Sequence, residues 1–172
     1  MLYTQEQIQE RIAQMGAQIT ADYADKQPLL VVSVLKGAAI FMTDLVRTIN
    51  LPLQMDFMAV SSYGCEAQSS GTVRVTKDLC ESIEGKHVLI AEDILDSGLT
   101  LDYLVRELSK RRPASIEVAT MLHKQGAQKC EVTCKYVGFT CPNEFIVGYG
   151  LDYAEKYRNL PSICVLKPEV YQ

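Results

Sequence analysis

The chain has 172 residues, and its 17 Lys and Arg side chains against 21 Asp and Glu give a net charge of −4. This length fits one domain, so we expect residues 1–172 to form a single domain around one substantial core. The acidic balance argues against nucleic-acid binding, because that binding draws its affinity from Lys and Arg contacts to phosphates. The longest apolar run, residues 29–35, is far shorter than the roughly 20 residues of a membrane-spanning helix. We therefore expect neither nucleic acid nor a membrane as a partner.

The N-terminal residues and the cysteines both indicate a reducing compartment. Residues 1–14 lack the positive end and apolar middle of a secretion signal, which predicts a cytoplasmic protein. The six cysteines are then expected to remain thiols. Cys130, Cys134 and Cys141 lack a closely spaced fourth ligand, so they do not complete the tetrahedral set of a zinc site.

The first elements in chain order are a helix, a strand and a second helix. Thr4 and Gln7 have the spacing of a capping box, and they predict a helix from about Gln5 to Tyr23. Residues 29–35 are short, apolar and rich in β-branched side chains, which is typical of a buried strand. A glycine-containing turn follows, and residues 38–49 continue at helical spacing. These elements form the first half of a βαβ unit.

The same alternation continues to the end of the chain. We expect strands at 55–61, 72–76 (returning as a hairpin), 88–91, 115–122, 135–139 and 162–166, and a helix from about Leu101 to Arg112. Strands that alternate with helices predict an α/β fold with a mainly parallel, twisted sheet flanked by helices. Ligands of such sheets bind beyond the carboxyl ends of the strands.

One such strand end carries a cluster of polar residues, Glu92 to Thr100. Ser97 and Thr100 offer hydroxyls, Gly98 lets a ligand approach the backbone, and the free N–H groups at a helix start favour an anion such as phosphate. The alternative is an ordinary solvated loop with Asp96 or Ser97 as the N-cap of the helix. The spacing alone does not separate the two interpretations.

Glu92 and Asp93 are adjacent and face opposite sides of an extended backbone. We expect them to make separate contacts, one accepting hydrogen bonds from sugar hydroxyls and the other lying near a hard cation such as Mg²⁺.

Residues 88–101, VLIAEDILDSGLTL, resemble the phosphoribosyl diphosphate (PRPP) binding motif of the type I phosphoribosyltransferases. The aspartate at position 96 resembles the one in the hypoxanthine–guanine branch of that family. Residues 33–47, 61–79 and 145–171 resemble other segments of the same family. The resemblance covers most of the chain. It implies the fold of that family, with a flexible β-hairpin lid and a small hood formed by the terminal segments.

The resemblance also implies an activity in purine salvage, with Mg²⁺ as cofactor. The 5-phosphoribosyl group of PRPP would pass to N9 of hypoxanthine or guanine, giving IMP or GMP and pyrophosphate. Glu92 and Asp93 would face the ribose, and Asp96 would either take the proton at purine N7 or only orient the base. The 5′-phosphate would bind Asp96, Ser97, Gly98, Leu99 and Thr100.

Other residues match the family's purine and pyrophosphate sites. Lys124 would donate to the 6-oxo group of the purine, Phe145 would stack on the base, and Ile146 would supply backbone contacts. An ammonium has no acceptor for a 6-amino group, which argues against adenine. Asp152 would lie near the base and Mg²⁺. Taken singly, Lys124 could instead be a solvated surface side chain and Phe145 a core side chain.

The remaining implied roles concern pyrophosphate, the metal and the lid. Lys36, Gly37 and Arg158 would bind pyrophosphate, with a cis peptide at Leu35–Lys36. Glu92, Asp93 and Asp152 would hold the metal ion. Ser62 and Tyr63 would belong to the lid that keeps water from the reaction. The family further implies a homodimer or homotetramer.

Two alternatives remain open from the residues. One is a related enzyme directed at xanthine or adenine, of which Lys124 argues only against adenine. The other is a nucleotide-sensing regulator of nucleic acid built on the same scaffold. Such regulators often change the acidic residue at the Asp96 position and add a basic surface, whereas this chain keeps Asp96 and is acidic.

Overall fold

The computed structural model describes residues 1–62 and 73–171. Its helices are α1 (Gln5–Asp22), α2 (Ala39–Val46) and α3 (Leu99–Ser109), with a short 3₁₀ helix at Pro168–Val170. Its strands are β1 (Leu29–Leu35), β2 (Gln54–Ser62), β3 (Val73–Lys77), β4 (His87–Leu95), β5 (Ser115–Lys124), β6 (Tyr136–Cys141), β7 (Ile146–Val147) and β8 (Cys164–Val165).

The main sheet has six strands in the order β3-β2-β1-β4-β5-β6. Strands β2, β1, β4, β5 and β6 run parallel, and only β3 is antiparallel, to β2. Every residue of β1 from Leu29 to Val34 is buried, as expected for a central strand covered on both faces. The predicted mainly parallel α/β sheet is confirmed.

Successive residues of β1 pack into two different cores, one on each face of the sheet. Leu29 and Val31 pack with the buried face of α1 and with α2, whereas Leu30 and Val32 pack with Leu104 of α3 and its neighbours. The helices therefore cover both faces and leave the strand ends open. This arrangement places the carboxyl ends of β1, β4 and β5 side by side.

The element boundaries differ from the prediction mainly at β4 and α3. Strand β4 continues past Ala91 to Leu95, because Glu92, Ile94 and Leu95 still pair with β5. Helix α3 spans Leu99–Ser109 rather than Leu101–Arg112, so Leu99 and Thr100 lie in its first turn. Helix α1 and its capping box between Thr4 and Gln7 are confirmed.

The predicted second helix and last strand are shorter than expected. Helix α2 ends at Val46, since Thr48 and Ile49 donate to carbonyls three residues back, as in a turn. In the segment 162–166, only Cys164–Val165 forms a strand, antiparallel to β7 in a separate two-stranded sheet. The predicted return strand is β3, which the structure describes from Val73 to Lys77.

The two terminal segments of the chain meet. Tyr3 forms an antiparallel bridge with Ile163, and its ring stacks on Phe139. The predicted lid residue Ser62 ends β2, whereas Tyr63 lies outside the described residues. In residues 1–62 and 73–171, no helix has the length and apolar character needed to cross a membrane.

Candidate active site

A cavity of about 230 Å³ opens at the carboxyl ends of β1 and β4. Seven of the predicted site residues line it: Gly37, Glu92, Asp93, Asp96, Ser97, Gly98 and Thr100. Leu99 is predicted for the same site but does not line the cavity, because its side chain lies on the exposed face of α3. The cavity occupies the place where ligands of open α/β sheets bind.

The turn before α3 has a backbone that suits an anion. Gly98, at φ 80°, is the N-cap residue, so the alternative in which Asp96 or Ser97 caps the helix is wrong. A left-handed backbone is available to glycine at little cost, which explains this residue here. The Ser97 carbonyl accepts the N–H of Lys129 at 2.8 Å, which braces the turn from the segment after β5. The first N–H groups of α3 lack intrahelical acceptors and carry the positive end of the helix dipole.

Glu92 and Asp93 are carboxylates drawn out of water at the end of a central strand. Burial raises the pKa of Glu92 well above its usual range, and the neighbouring Asp93 charge raises it further. Burial also raises the pKa of Asp93 to about 6, against the opposing effect of the Arg158 guanidinium. Two confined negative charges favour a ligand that brings hydroxyl donors or a cation.

Asp93 also lies directly against Gly37 of the β1–α2 loop. A Cβ at Gly37 would come within 1.8 Å of Asp93 Oδ2, so a larger residue would displace the carboxylate. The peptide bond between Leu35 and Lys36 is cis, as predicted. The contact joins the loop that follows β1 to the end of β4.

Asp96 and Lys124 form an ion pair at the mouth of the cavity. Lys124 Nζ lies 3.0 Å from Asp96 Oδ2, and the Lys124 side chain is only 11% exposed. The pair is brought together by sheet register, since Leu95 of β4 pairs with His123 of β5. Lys124 is therefore not a solvated surface side chain.

Arg158 lies beneath the β1–α2 loop and is held by three acceptors. Its Nη1 donates to the Gly150 carbonyl at 2.8 Å, and its Nη2 lies 3.0 Å from Asp152 Oδ1 and 3.2 Å from Glu155 Oε1. Its Nε is buried and has no acceptor among the described residues. Glu155 also binds Lys36, with 2.8 Å between Oε2 and Nζ. Lys36, Asp152 and Arg158 are thus linked in one ion-pair network.

Phe145 and Ile146, the residues predicted to contact the purine, do not line the cavity. Phe145 is 38% exposed, so it is not simply a core side chain. Its ring meets the edge of Tyr153 at 5.6 Å and the ring of Tyr171 at 5.1 Å. Ile146 is buried in β7, where it pairs with Val165. The accessible part of the Phe145 ring is available to another flat group.

Sequence reasoning did not single out three residues that organise the site: Tyr149, Gly150 and Glu155. A Cβ at Gly150 would come within 2.0 Å of the Gly37 carbonyl oxygen, so Gly150 permits close packing of the two loops. The Tyr149 hydroxyl donates to Asp44 of α2 at 2.7 Å. The Gly-Tyr-Gly pattern was a usable signal for tight turns, but its partners are remote in sequence.

A metal ion would have to be shared with a ligand. Residues 1–62 and 73–171 contain no group of three or more His, Cys, Asp or Glu side chains arranged to hold a metal. Mg²⁺ commonly binds one or two carboxylates together with substrate phosphates and water. Asp93 and Asp152 are near enough for the Asp152 charge to raise the pKa of Asp93, so this pair fits such a cation.

Three comparisons describe what this chain is similar to. The model of the phosphoribosyl transferase domain matches residues 1–154. The hypoxanthine-guanine phosphoribosyltransferase of Mycobacterium avium is 55% identical over 177 residues, which cover 100% of this chain and 87% of that protein. The hypoxanthine phosphoribosyltransferase structure from Staphylococcus aureus has a TM-score of 0.94 and 50% identity, covering 99% of this chain and 92% of that chain. The structure of a mutant hypoxanthine phosphoribosyltransferase from Trypanosoma cruzi, in a ternary substrates complex, has a TM-score of 0.95 and 44% identity. The match covers 100% of this chain and 97% of that chain. The chain belongs to the phosphoribosyltransferase family.

Proposed function

We propose that the chain catalyses purine salvage by transferring the 5-phosphoribosyl group of PRPP to N9 of hypoxanthine, and of guanine. The products are IMP or GMP and pyrophosphate. Full-length identity above one half to a hypoxanthine-guanine phosphoribosyltransferase supports this activity. The observation that carries it is the Asp96–Lys124 pair beside an anion-binding helix start.

In this proposal the turn Asp96–Thr100 binds the 5′-phosphate of PRPP. Ser97, Gly98 and Thr100 line the cavity that would receive it, and the phosphate would accept hydrogen bonds from their hydroxyls and backbone N–H groups. Glu92 and Asp93 accept hydrogen bonds from the ribose hydroxyls, which relieves the cost of holding both carboxylates charged. The chain thereby fixes the sugar while the base approaches.

Lys124 and Asp96 recognise the purine by exchanging their mutual bond for bonds to the base. Lys124 donates to the 6-oxo oxygen, and Asp96 accepts the N7 proton as N9 attacks the anomeric carbon. An adenine would offer a 6-amino donor to the Lys124 ammonium, which accepts nothing. Phe145 stacks on the ring, and the Ile146 backbone contacts the purine edge. The pair therefore selects 6-oxopurines.

Lys36, Gly37 and Arg158 bind the pyrophosphate that leaves. The ammonium and the guanidinium offset part of its charge. Asp93 and Asp152 would hold Mg²⁺ beside the pyrophosphate, whereas Glu92, predicted as a third ligand, does not form a three-carboxylate group with them in the described residues. The bound cation supplies charge neutralisation for the leaving group.

We also propose a cytoplasmic enzyme that forms a homodimer or homotetramer and whose single domain spans residues 1–172. The acidic charge and the cysteines without a zinc-site pattern support the location. Leu35, Met55 and Leu99 are large apolar side chains at least 39% exposed, which is compatible with subunit contacts. Sedimentation of the purified protein measures the assembly.

The test is a base-competition assay with PRPP and Mg²⁺. Hypoxanthine and guanine are expected to yield nucleotide and pyrophosphate, and adenine none. Xanthine, which presents the same 6-oxo group to Lys124, measures whether other contacts select among 6-oxopurines. Chelation of Mg²⁺ with EDTA should abolish turnover, and added Mg²⁺ should restore it. Formation of AMP in place of IMP, or no pyrophosphate with any base, would contradict the proposal.

A further inference from the structure

The Glu155 carboxylate binds two cations that come from distant parts of the chain. Oε2 lies 2.8 Å from Lys36 Nζ, and Oε1 lies 3.2 Å from Arg158 Nη2. Each oxygen of one carboxylate thus serves a different cation. A bound phosphate group would place two of its negatively charged oxygens on the same ammonium and guanidinium. The Glu155 carboxylate therefore occupies the two cations as a phosphate would.

The local backbone holds Glu155 in this position. Ala154 and Glu155 have φ values of 49° and 63°, in a left-handed region that such residues seldom adopt. The Glu155 N–H donates to Asp152 Oδ2 at 2.9 Å, and the other oxygen of Asp152 binds Arg158. An uncommon backbone conformation persists where its surroundings enforce it. The bridging position is therefore built into the turn.

The bridge is also easily displaced. The side chains of Lys36 and Glu155 are 67% and 64% exposed, and exposed ion pairs contribute little free energy because water screens them. The same two cations lower the pKa of the Glu155 carboxyl, so it remains ionised at neutral pH. A ligand with several negative charges competes well against one carboxylate.

We propose that the Glu155 carboxylate occupies the pyrophosphate site when no ligand is bound. By competing for Lys36 and Arg158, it sets the affinity of that site for PRPP and pyrophosphate. This inference rests on the proposed function, in which Lys36 and Arg158 bind pyrophosphate. In the free enzyme Glu155 occupies the two cations, and the diphosphate of PRPP displaces it on binding. After the reaction Glu155 competes with pyrophosphate for the same cations, which weakens product binding and promotes its release.

The test compares Glu155→Gln with the parent enzyme. Gln keeps the length of the side chain but removes its charge, so the competitor is weakened. We expect the KM for PRPP and the inhibition constant of pyrophosphate each to fall about threefold, with the KM for hypoxanthine unchanged. Glu169→Gln is the matched control, since it removes the same charge from an exposed position on the 3₁₀ helix. It should leave all three constants unchanged.

Two results would overturn the proposal. A higher KM for PRPP in Glu155→Gln would mean that Glu155 positions the cations instead of competing for them, and unchanged constants would mean that it does neither. Arg158→Gln separates this failure from failure of the proposed function. If that variant weakens pyrophosphate inhibition, the pyrophosphate site stands whatever Glu155 does. If it does not, Arg158 does not bind pyrophosphate, and the roles proposed for Arg158 and Glu155 are both wrong, while the base-competition assay decides the activity itself.

Discussion

Residues 92–100 and residues 148–158 meet at Gly37, and they are built in different ways. Residues 92–100 continue a central strand into a helix, so the sheet itself fixes their backbone. Residues 148–158 contain only isolated bridges and six residues with positive φ, and side-chain bonds to Asp44 and Lys36 hold them. One half of the site therefore depends on the core, and the other half depends on a few polar contacts.

This difference explains where the chain tolerates change. A substitution in the first region acts through packing and buried charge, which are large effects. A substitution in the second region removes single hydrogen bonds, whose net effect is modest because water replaces the lost partner. We expect damage to decrease from the Gly37 contact to the outer contacts of residues 148–158.

The largest effect is expected where the two regions touch. Gly37→Ala places a methyl group 1.8 Å from Asp93 Oδ2, so either the loop or the carboxylate must move. A displacement of about 1 Å near reacting groups can reduce the rate by about 100-fold. We expect a loss of that order in kcat/KM for PRPP, measured by steady-state kinetics. Gly85→Ala is the control, because no atom lies within 4 Å of its Cβ. Its left-handed backbone should lower stability and leave the kinetics unchanged.

Asp93→Asn tests whether the buried negative charge of Asp93 lowers the free energy of unfolding. The folded-state pKa of about 6 lies above the usual value of 3.8, so the folded protein binds this proton more tightly than the unfolded chain does. The stability of the parent protein should therefore fall as pH rises from about 4 to 6. At pH 7 the Asn variant should be more stable by about 3 kcal/mol, and near pH 4 the two should be similar. Urea unfolding at both pH values measures this difference. An equal increase in the free energy of unfolding at both pH values would mean that the charge of Asp93 does not cause the difference.

Lys124→Met tests the ion pair at the mouth of the cavity. The change keeps an unbranched side chain and removes the charge that Asp96 and the 6-oxo group are proposed to share. Loss of a hydrogen bond to a charged group raises the KM for hypoxanthine by about tenfold, while the KM for PRPP should change little. Lys110→Met is the control, since Lys110 pairs with Glu107 on the exposed surface of α3. A uniform rise in both KM values would indicate a general disturbance of the site.

Tyr149→Phe should have the smallest effect. The Tyr149 hydroxyl donates to Asp44 at 2.7 Å and ties residues 148–150 to the helix that follows the Lys36–Gly37 loop. Its loss should raise the KM for PRPP by about threefold to fivefold, which corresponds to one modest hydrogen bond. Tyr136→Phe removes an equally short bond, to Asp22, between β6 and α1. Both variants should lose similar stability in urea unfolding. If Tyr136→Phe changed the KM for PRPP equally, the bond of Tyr149 would have no special role.

The sequence predicted the first region better than the second for a physical reason. Apolar periodicity, the capping box and the glycine turn are local signals, and they indicated the strands and the helices. The spacing of residues 92–100 left phosphate binding and an ordinary capped loop both open, and the family resemblance favoured phosphate binding. Local signals also misplaced the start of α3, because Gly98 and not a side chain caps it. The bonds of Tyr149 and Glu155 join residues more than 100 positions apart, so no local pattern reveals them.

A crystal structure of the protein with IMP bound tests the proposed nucleotide site most directly. The 5′-phosphate should lie against the backbone N–H groups of Ser97 to Thr100, and the 6-oxo oxygen should lie within hydrogen-bond distance of Lys124 Nζ. The Asp96 carboxylate should then contact purine N7 and no longer contact Lys124. A nucleotide bound outside this cavity, or a phosphate on Lys124 with the base toward α3, would contradict the proposed site.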